Sequence, residues 1–389
     1  MADTATVLAA LSVLAWVVLL VFRNGFWRAD QRLETGLPDP ASWPSVVALV
    51  PARNEAEHME ACLTALGGQD YPGSFSVLVI NDSSTDDTAR IARHIAGAPD
   101  LRHTVEVIDA PELEEGWAGK LWALNHGTSH LTARTGTPEF LWLTDADVIH
   151  DEATLSRLVA KAEDQGLAMV SLMVRLACAS FWERLLVPAF VFFFQMLYPF
   201  PAINDRNSTI AGAAGGCILL RRGALERVGG ISSIRDRLID DCALAARIKS
   251  SGAAVWVGLA TESHSLRRYD RLGEFWRMVA RSAFVQLGYS TVLLVLSVLG
   301  MAIIFICVPL IILAFPWHKS GTAVVLSAIS WTLMCFTYIP TVRYHRLRTW
   351  RCVTLPLASA LYMMMTVHSA VRHWCGLGQN WKNRAYRPK

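Results

Sequence analysis

The stretch FLWLTDADVIHDEATL, Phe140 to Leu155, places FLWL and one threonine before two aspartates, Asp145 and Asp147. The apolar run reads as a buried strand. Such a strand has little reason to end on two carboxylates unless its exit opens onto something that neutralises them. A D-x-D at a strand exit brings two hard oxygen donors near one point. That suits a divalent cation shared with phosphate oxygens, Mg2+ or Mn2+. Two solvated turn aspartates would carry the same local sequence, so the neighbouring segments decide.

Upstream, SVVALVPA (Ser45–Ala52), FSVLVINDSS (Phe75–Ser84) and HTVEVIDAP (His103–Pro111) read as further strands. The stretches NEAEHMEACLTAL, DDTARIARHIA and GKLWALNHGTSHLTA between them read as helices, the second with Asp86 or Asp87 near its start. Alternation of this kind, with near-continuous apolar strands, predicts an α/β domain built on a mostly parallel sheet covered on both faces. Ligands of such sheets bind beyond the carboxyl ends of the strands. The polar residues at those ends are Arg53, Asn54 and Glu55, then Asn81 and Asp82, then Asp145 and Asp147. No GxxxxGK[ST] and no strand followed by GxGxxG occurs, which weakens P-loop and dinucleotide readings.

Six stretches together resemble glycosyltransferase family 2, the GT-A-fold enzymes that use nucleotide-sugars. They are VPARNE (Val50–Glu55), VINDSSTDDT (Val79–Thr88), GWAGKLWALNHG (Gly116–Gly127), LTDAD (Leu143–Asp147), GAAGGCILLRRGALERVGG (Gly212–Gly230) and LIDDCALAARIKSSG (Leu238–Gly252). A wider likeness, including PAFVFFFQMLYPF and the RHW…WKNR tail, is to the hopene-associated membrane subgroup. The resemblance implies a donor site containing Pro51, Arg53, Glu55, Asp82, Lys120 and Asp145, with Asp145 and Asp147 on the metal. It implies Asp241 as the general base and Arg281 as a diphosphate contact, although Met278 and Ser282 replace the residues that usually flank that arginine. The missing tryptophan argues for transfer of a single sugar over polymer synthesis. His264 is a further possible metal ligand, and Arg267, Arg268 and Arg271 are expected to face anionic lipid or diphosphate.

The totals fit a catalytic domain with membrane segments. The chain has 389 residues, is 53% hydrophobic and carries a net charge of only +3, so no nucleic-acid footprint is expected. Eight cysteines are scattered without a CxxC pair and read as reduced thiols. An apolar run from about Thr6 to Phe22, followed by Arg23, Arg28 and Arg32, reads as a retained anchor with its C-terminal end in the cytoplasm. Further runs lie at about Ser290–Trp317, Gly321–Pro340 and Cys352–Val371, each near the ~20 residues that cross a bilayer. The basic link RYHRLRTWR (Arg343–Arg351) belongs in the cytoplasm, and so does the basic tail. One run, first the one containing Pro356, is therefore expected to be re-entrant or interfacial. The apolar stretch at about 183–203, interrupted by Pro188, Pro199 and Pro201, is expected to lie in the membrane interface.

The expected organisation is thus an anchor at 1–24, a cytoplasmic GT-A domain at 43–282, membrane helices at 284–373 and a basic tail at 374–389. The setting is a bacterial cytoplasmic membrane. The expected partners are a nucleotide-sugar donor and a lipid acceptor such as a hopanoid or another polyisoprenoid. Another nucleotide-dependent transferase on a similar sheet, or a non-catalytic membrane protein, remain the alternatives. The sugar, the acceptor and the oligomeric state are open at this point.

Overall fold

The computed structural model describes residues 2–133 and 137–376, and the backbone of 379–381 and 384–386. The remainder of the basic tail lies outside the described residues. Helix α1 (Ala2–Phe22) precedes β1 (Val46–Ala52), α2 (Ala56–Gly67), β2 (Phe75–Asn81), α3 (Thr88–Ala96), β3 (Thr104–Asp109), α4 (Gly119–Thr132) and β4 (Phe140–Thr144). Next come β5 (Val148–Ile149), α5 (Thr154–Asp164), β6 (Met169–Arg175), α6 (Phe181–Leu197), α7 (Phe200–Asn204), β7 (Cys217–Arg221), α8 (Arg222–Arg227), α9 (Asp240–Ser250) and β8 (Val255–Ser265). The chain continues through α10 (Leu272–Gln286), α11 (Thr291–Met301), α12 (Cys307–Leu313), α13 (Phe315–His318), α14 (Gly321–Tyr344) and α15 (Leu355–Trp374), then an antiparallel pair, β9 (Gln379–Trp381) and β10 (Arg384–Tyr386).

Two compact units form. One contains Asp30–Ala177 and Ala202–Arg268; the other contains Met1–Ala29, Cys178–Pro201 and Tyr269–Lys389. The first unit holds a sheet of order β3-β2-β1-β4-β7-β6-β8-β5. Strands β1 to β4 run parallel, as the alternation of strands and helices requires. Beyond β4 the sheet is mixed: β7 is antiparallel to both β4 and β6, β6 is parallel to β8, and β5 is antiparallel to β8. The core packs Val46, Ala48 and Val50 of β1 with Val77 and Val79 of β2, Trp142 of β4 and the buried face of α2. Burial on both sides of the sheet is why these strands are apolar almost without alternation.

The strand order reverses at β1. From it the chain moves outward to β2 and β3, then returns to place β4 on its other side. A crevice opens at such a switch point, outside the carboxyl ends. The register shows it directly. Strand β1 pairs with β2 as far as Ala52↔Asn81, but with β4 only as far as Leu49↔Leu143. Pro51, which has no N–H to give, falls past the last β4 pairing and so costs the ladder no bond on that side.

In the second unit, four helical segments among the described residues are long and apolar enough to cross a membrane: Ala2–Phe22, Thr291–Leu313, Gly321–Tyr344 and Thr349–Trp374. The second contains a π-helical turn at 302–306. The segment bearing Pro356 is one of them; the proline sits in the first turn of α15, where a missing N–H breaks nothing. Ser12 on α1 and Ser330 on α14 share a buried hydrogen bond of 2.7 Å. Helix α6 departs from expectation. It runs unbroken through Pro188 and stops just before Pro199. Its middle is packed within this unit, with Phe192 fully buried against Phe26 and Tyr338, and Tyr362 Oη donates to Leu186 O at 3.0 Å. Packing on several sides holds the proline-containing helix together, with Phe192 covered by protein side chains. Phe181, at the helix start, is exposed.

Candidate active site

The loops after β1 and β2 are laced together. Asp82 N–H donates to Ala52 O at 2.8 Å, and Arg53 Nη1 donates to Asp82 O and Ser83 O at 2.6 and 2.9 Å. Asn54 Oδ1 accepts from Thr85 N–H at 2.8 Å, and Glu55 N–H donates to Thr88 Oγ1 at 2.8 Å. Asn54 and Ser83 both hold φ near 50°, in the left-handed region that non-glycine residues rarely occupy. Local strain of this kind persists where surrounding bonds over-determine it, commonly at binding sites. Asp82 itself is buried.

Three segments meet beside them. Helix α4 starts at Gly119, so Lys120 reaches the exit of β4, and its Nζ lies 2.7 Å from Asp145 Oδ1 and 3.9 Å from Asp240 Oδ2. The same ammonium donates to Gly215 O at 3.3 Å. Asp241, in the first turn of α9, accepts from Gly215 N–H at 2.8 Å and from Cys242 N–H at 2.7 Å. Burial alone would pull the Lys120 ammonium down, but the charges of Asp145 and Asp240 outweigh it and hold the group raised. Desolvation, then the repulsion of Asp240, pushes the Asp241 carboxyl up to about 7, even though the two backbone N–H groups and Lys120 pull the other way. A carboxylate poised near neutral pH is suited to proton transfer.

Gly215 is small for a reason visible here. A Cβ built on it would come within 3.2 Å of Lys120 Nζ and 3.3 Å of Asp241 Oδ2. Gly215→Ala is therefore expected to push both charged groups aside slightly and lower kcat by about threefold, less than the ~100-fold that a misplacement near 1 Å can cost. Steady-state kinetics on protein with an unchanged melting temperature check this; an alanine variant at wild-type rate would contradict it.

Asp147 is engaged from the far side of the sheet edge. Arg267, just past β8, reaches Asp147 Oδ2 with Nε at 2.8 Å and Glu55 Oε1 with Nη2 at 2.6 Å. Ser265 Oγ adds a bond to Asp147 Oδ2 at 3.3 Å, and Leu266 N–H donates to Asp147 O at 2.7 Å. Arg267 thus faces the cleft carboxylates and not a lipid surface, because the β5–β8 pairing, Val148↔Ser265, carries it there. Along β8 the side chains of Ser263 and Ser265 point inward, so the half-exposed His264 between them takes the other face.

The chemistry of the donor set fits a divalent cation. Glu55, Asp145, Asp147 and Asp240 bring four carboxylates to the cleft, with Lys120 against Asp145 and Asp240 and Arg267 against Glu55 and Asp147. A diphosphate entering this cleft would add further negative charge. Among the described residues no three His, Cys, Asp or Glu side chains converge as a metal-binding group. Two carboxylates completed by phosphate and water oxygens is the usual pattern for Mg2+ with a nucleotide.

The structure therefore brings Lys120, Asp145 and Asp241 together, with Asp240 beside them. It joins Glu55 to Asp147 through Arg267, and holds Arg53 against Asp82. Arg281, exposed on α10, belongs to the other compact unit. Arg267, Asp240 and Gly215 also line this cleft, and sequence reasoning undervalued them. The double arginine in HSLRRYD was the available signal for Arg267, but its partners lie more than 100 residues away.

Residues 47–229 match the family described as Glycosyl transferase family 2. Among curated relatives, glycosyltransferase AglE of Haloferax volcanii is 30% identical over 128 residues, 33% of this chain and 38% of that protein. An N-acetylglucosaminyltransferase of Mesorhizobium japonicum is 27% identical over 203 residues, 50% of this chain and 45% of that protein. A 4,4'-diaponeurosporenoate glycosyltransferase of Staphylococcus aureus is 36% identical over 104 residues, 27% of this chain and 24% of that protein. The matches thus span less than half the length of each of these relatives. A solved mannosyltransferase, PcManGT from Pyrobaculum calidifontis in complex with GDP-Man and Mn2+, shares the fold with a TM-score of 0.59 at 20% identity, covering 94% of this chain and 99% of that one.

Proposed function

We propose that this chain, which carries a glycosyl transferase family 2 region at 47–229, is a membrane-bound inverting glycosyltransferase moving one sugar from a nucleotide-sugar to a hydroxyl on a lipid. The observation that carries this reading is the meeting of Lys120, Asp145, Asp240 and Asp241 at the open end of the switch point. Two different tasks are supported there. Lys120 offers positive charge where a leaving diphosphate gains negative charge. Asp241, with Gly215 N–H and Cys242 N–H holding its two oxygens, offers a base that takes the proton of the attacking hydroxyl. With one base and no second carboxylate needed as nucleophile, displacement is single and the anomeric configuration inverts.

Asp82, Arg53, Glu55 and Pro51 are assigned to the nucleoside end of a UDP-sugar, and Arg281 to the diphosphate. Asp145 and Asp147 would hold Mg2+ or Mn2+, which supplies Lewis-acid stabilisation of the diphosphate oxygens when bound. His264 stays a weaker proposal as a third ligand, since its side chain takes the other face of β8 from Ser265, which contacts Asp147. Lysine and arginine already hold the two carboxylates in place, so donor and ion meet a preformed site.

The lipid acceptor is supported by the helical segments of spanning length among the described residues and by the similarity to the S. aureus 4,4'-diaponeurosporenoate glycosyltransferase. By resemblance, a hopanoid polyol or another polyisoprenoid comes first. We assign the chain to the bacterial cytoplasmic membrane, multi-pass, with an anchor at 1–24, a cytoplasmic catalytic domain within 43–282, membrane helices at 284–373 and a tail at 374–389. Purified protein incubated with radiolabelled UDP-glucose, UDP-N-acetylglucosamine, UDP-galactose or GDP-mannose and a total lipid extract tests it. Label should enter the organic phase. Label confined to a water-soluble product or a polymer would overturn the acceptor class.

The pH dependence follows from the base. With Asp241 held up to about 7, kcat/KM should rise with pH and level off only above that value. Asp240 is the largest neighbouring charge raising Asp241, so Asp240→Asn should move that acid limb to lower pH. An acid limb near the ordinary carboxylate range in the wild type would show that the fold does not hold Asp241 up.

A further inference from the structure

Beneath the cleft runs a buried chain of hydrogen bonds that the reaction as described does not use. His150 is almost fully buried, with Nε2 at 2.8 Å from Thr144 Oγ1 and Nδ1 at 2.9 Å from Ser263 Oγ. Thr144 Oγ1 in turn donates to Gly216 O at 3.1 Å. For an uncharged imidazole the proton inventory has one solution. A threonine hydroxyl carries a single proton, and here it goes to Gly216 O. Thr144 Oγ1 must therefore accept from His150, which places the imidazole proton on Nε2. Nδ1 is then an acceptor, and the Ser263 hydroxyl donates to it.

Each end of this chain touches a working part of the cleft. Thr144 is the last residue of β4 and immediately precedes Asp145. Gly216 follows Gly215, whose N–H holds Asp241 and whose carbonyl holds Lys120. Ser263 lies on β8, two residues before Ser265 and four before Arg267, both of which hold Asp147. A second buried hydroxyl supports the same turn: Ser171 Oγ accepts from Ala214 N–H at 2.9 Å and donates to Ala214 O at 3.1 Å. The ring of His150 also packs on Trp142, centroids 4.6 Å apart, which limits its freedom to turn.

We propose that His150, carrying its proton on Nε2, is a positioning residue that ties the β4 exit, β8 and the 214–216 turn together and so fixes the spacing between the Asp145–Asp147 pair and Asp241. It touches no substrate. It acts through Thr144 and Gly216, and its value to the reaction rests on Asp241 being the base. Burial, with a further contribution from His264, pushes the imidazole down to about 3, so the ring stays uncharged through the working range and the chain keeps one polarity. A charged ring would donate from both nitrogens and would reverse the bond to Ser263, whose hydroxyl oxygen would then accept.

The test uses the full-length protein in detergent. Thr144→Val keeps the side-chain shape and removes the hydroxyl, depriving both Gly216 O and His150 Nε2 of a partner. We expect kcat to fall about 10-fold, in line with a small misplacement of reacting groups, while the Kd for UDP by calorimetry changes by less than about twofold. Thr144→Ser, which restores the hydroxyl, should recover most of the rate. A Thr144→Val rate equal to wild type, an equal fall in Thr144→Ser, or a fall matched by lost UDP-binding sites would each overturn the proposal. Should the valine variant fail to fold, 15N-histidine NMR of the wild type, with His150 assigned by His150→Gln, decides: an Nε2–H tautomer unchanged between pH 6 and 8 is expected, at the ordinary imidazole midpoint of about 6.5 as elsewhere. The opposite tautomer, or an imidazolium appearing in that range, overturns it. A wild type that turns over no nucleotide-sugar would refute the function and leave the tautomer result standing.

Discussion

Asp241→Asn should abolish turnover while making the protein more stable at neutral pH. Removal of a general base costs about 10²–10⁴-fold in kcat, and the amide has no basic lone pair to replace it. The geometry survives, because an asparagine oxygen can still accept from Gly215 N–H or Cys242 N–H. Stability moves the other way for an electrostatic reason. The folded state holds the Asp241 carboxyl up to about 7, against its ordinary 3.8, first by desolvation and next by Asp240. Between those values the folded protein binds the extra proton and the unfolded chain does not. Stability therefore falls as pH rises through this window, and above pH 7 the whole cost of the buried charge is present. Asparagine never carries that charge. The melting temperature of Asp241→Asn should exceed that of the wild type at pH 8, and the gap should close as pH is lowered toward 4. Activity above about one-tenth of wild type would remove Asp241 from the base role, while a lost melting transition would show that the carboxylate is structural.

The opposite signs of the two effects are what set a working residue apart from a structural one. Functional carboxylates are kept at positions where the fold alone would prefer something else. The cluster around Lys120 has that character: Asp145, Asp240 and Asp241 all approach one ammonium, more negative charge than a stable core would gather.

These parts of the cleft were unequally legible in the amino-acid sequence. Strands β1, β2 and β4 announce themselves because each is buried on both faces and reads as a continuous apolar run, whereas the edge strand β3 is half-exposed and carries Glu106 within it. Once they are recognised, parallel pairing forces Arg53, Asp82 and Asp145 to one edge. Lys120 and Asp241 stand out through the resemblance of GWAGKLWALNHG and LIDDCALAARIKSSG to glycosyltransferase family 2, since a place in the first turn of a helix says little by itself. The other half of the sheet was hidden. Strands β7 and β6 run antiparallel through GGCILLR and MVSLMVR, and β8 spans Val255–Ser265, with no local turn signal to reveal their partners. Sequence alone leaves Arg267 between lipid and diphosphate for that reason. In sequence it belongs to a run of basic residues, and only the long-range pairing of β8 with β5 brings it to Glu55 and Asp147. Pro188 misled in a different way. A proline removes one hydrogen bond, but packing along α6 outweighs that loss, and no local rule contains the packing. His150 lay within the opening stretch itself and still gave no sign, since its two partners are 6 and 113 residues away.

Lys120→Met should produce the second large loss. The methionine fills a similar volume and lacks only the charge and its donors. Asp145 and Asp240 would lose their shared cation, and the leaving diphosphate would lose a positive group already desolvated and aimed at it. Removing one such preorganised donor costs about 10²–10³-fold in kcat. A second effect separates Lys120 from a residue that merely holds the site together. Lys120 is one of the groups pulling the Asp241 carboxyl down, against burial and Asp240. Without it the base is held higher still, so the acid limb of kcat/KM should move to higher pH in the same variant. Lys120→Arg keeps the charge and should restore the limb. It should recover the rate only in part, because a planar fork cannot occupy the place of a compact ammonium that sits 2.7 Å from Asp145 and 3.3 Å from Gly215 O. Joint movement of rate and acid limb in Lys120→Met is the outcome that ties the donor side of the cleft to the base. A full rate at high pH, with only the limb displaced, would mean that Lys120 serves Asp241 and takes no part in stabilising the leaving group.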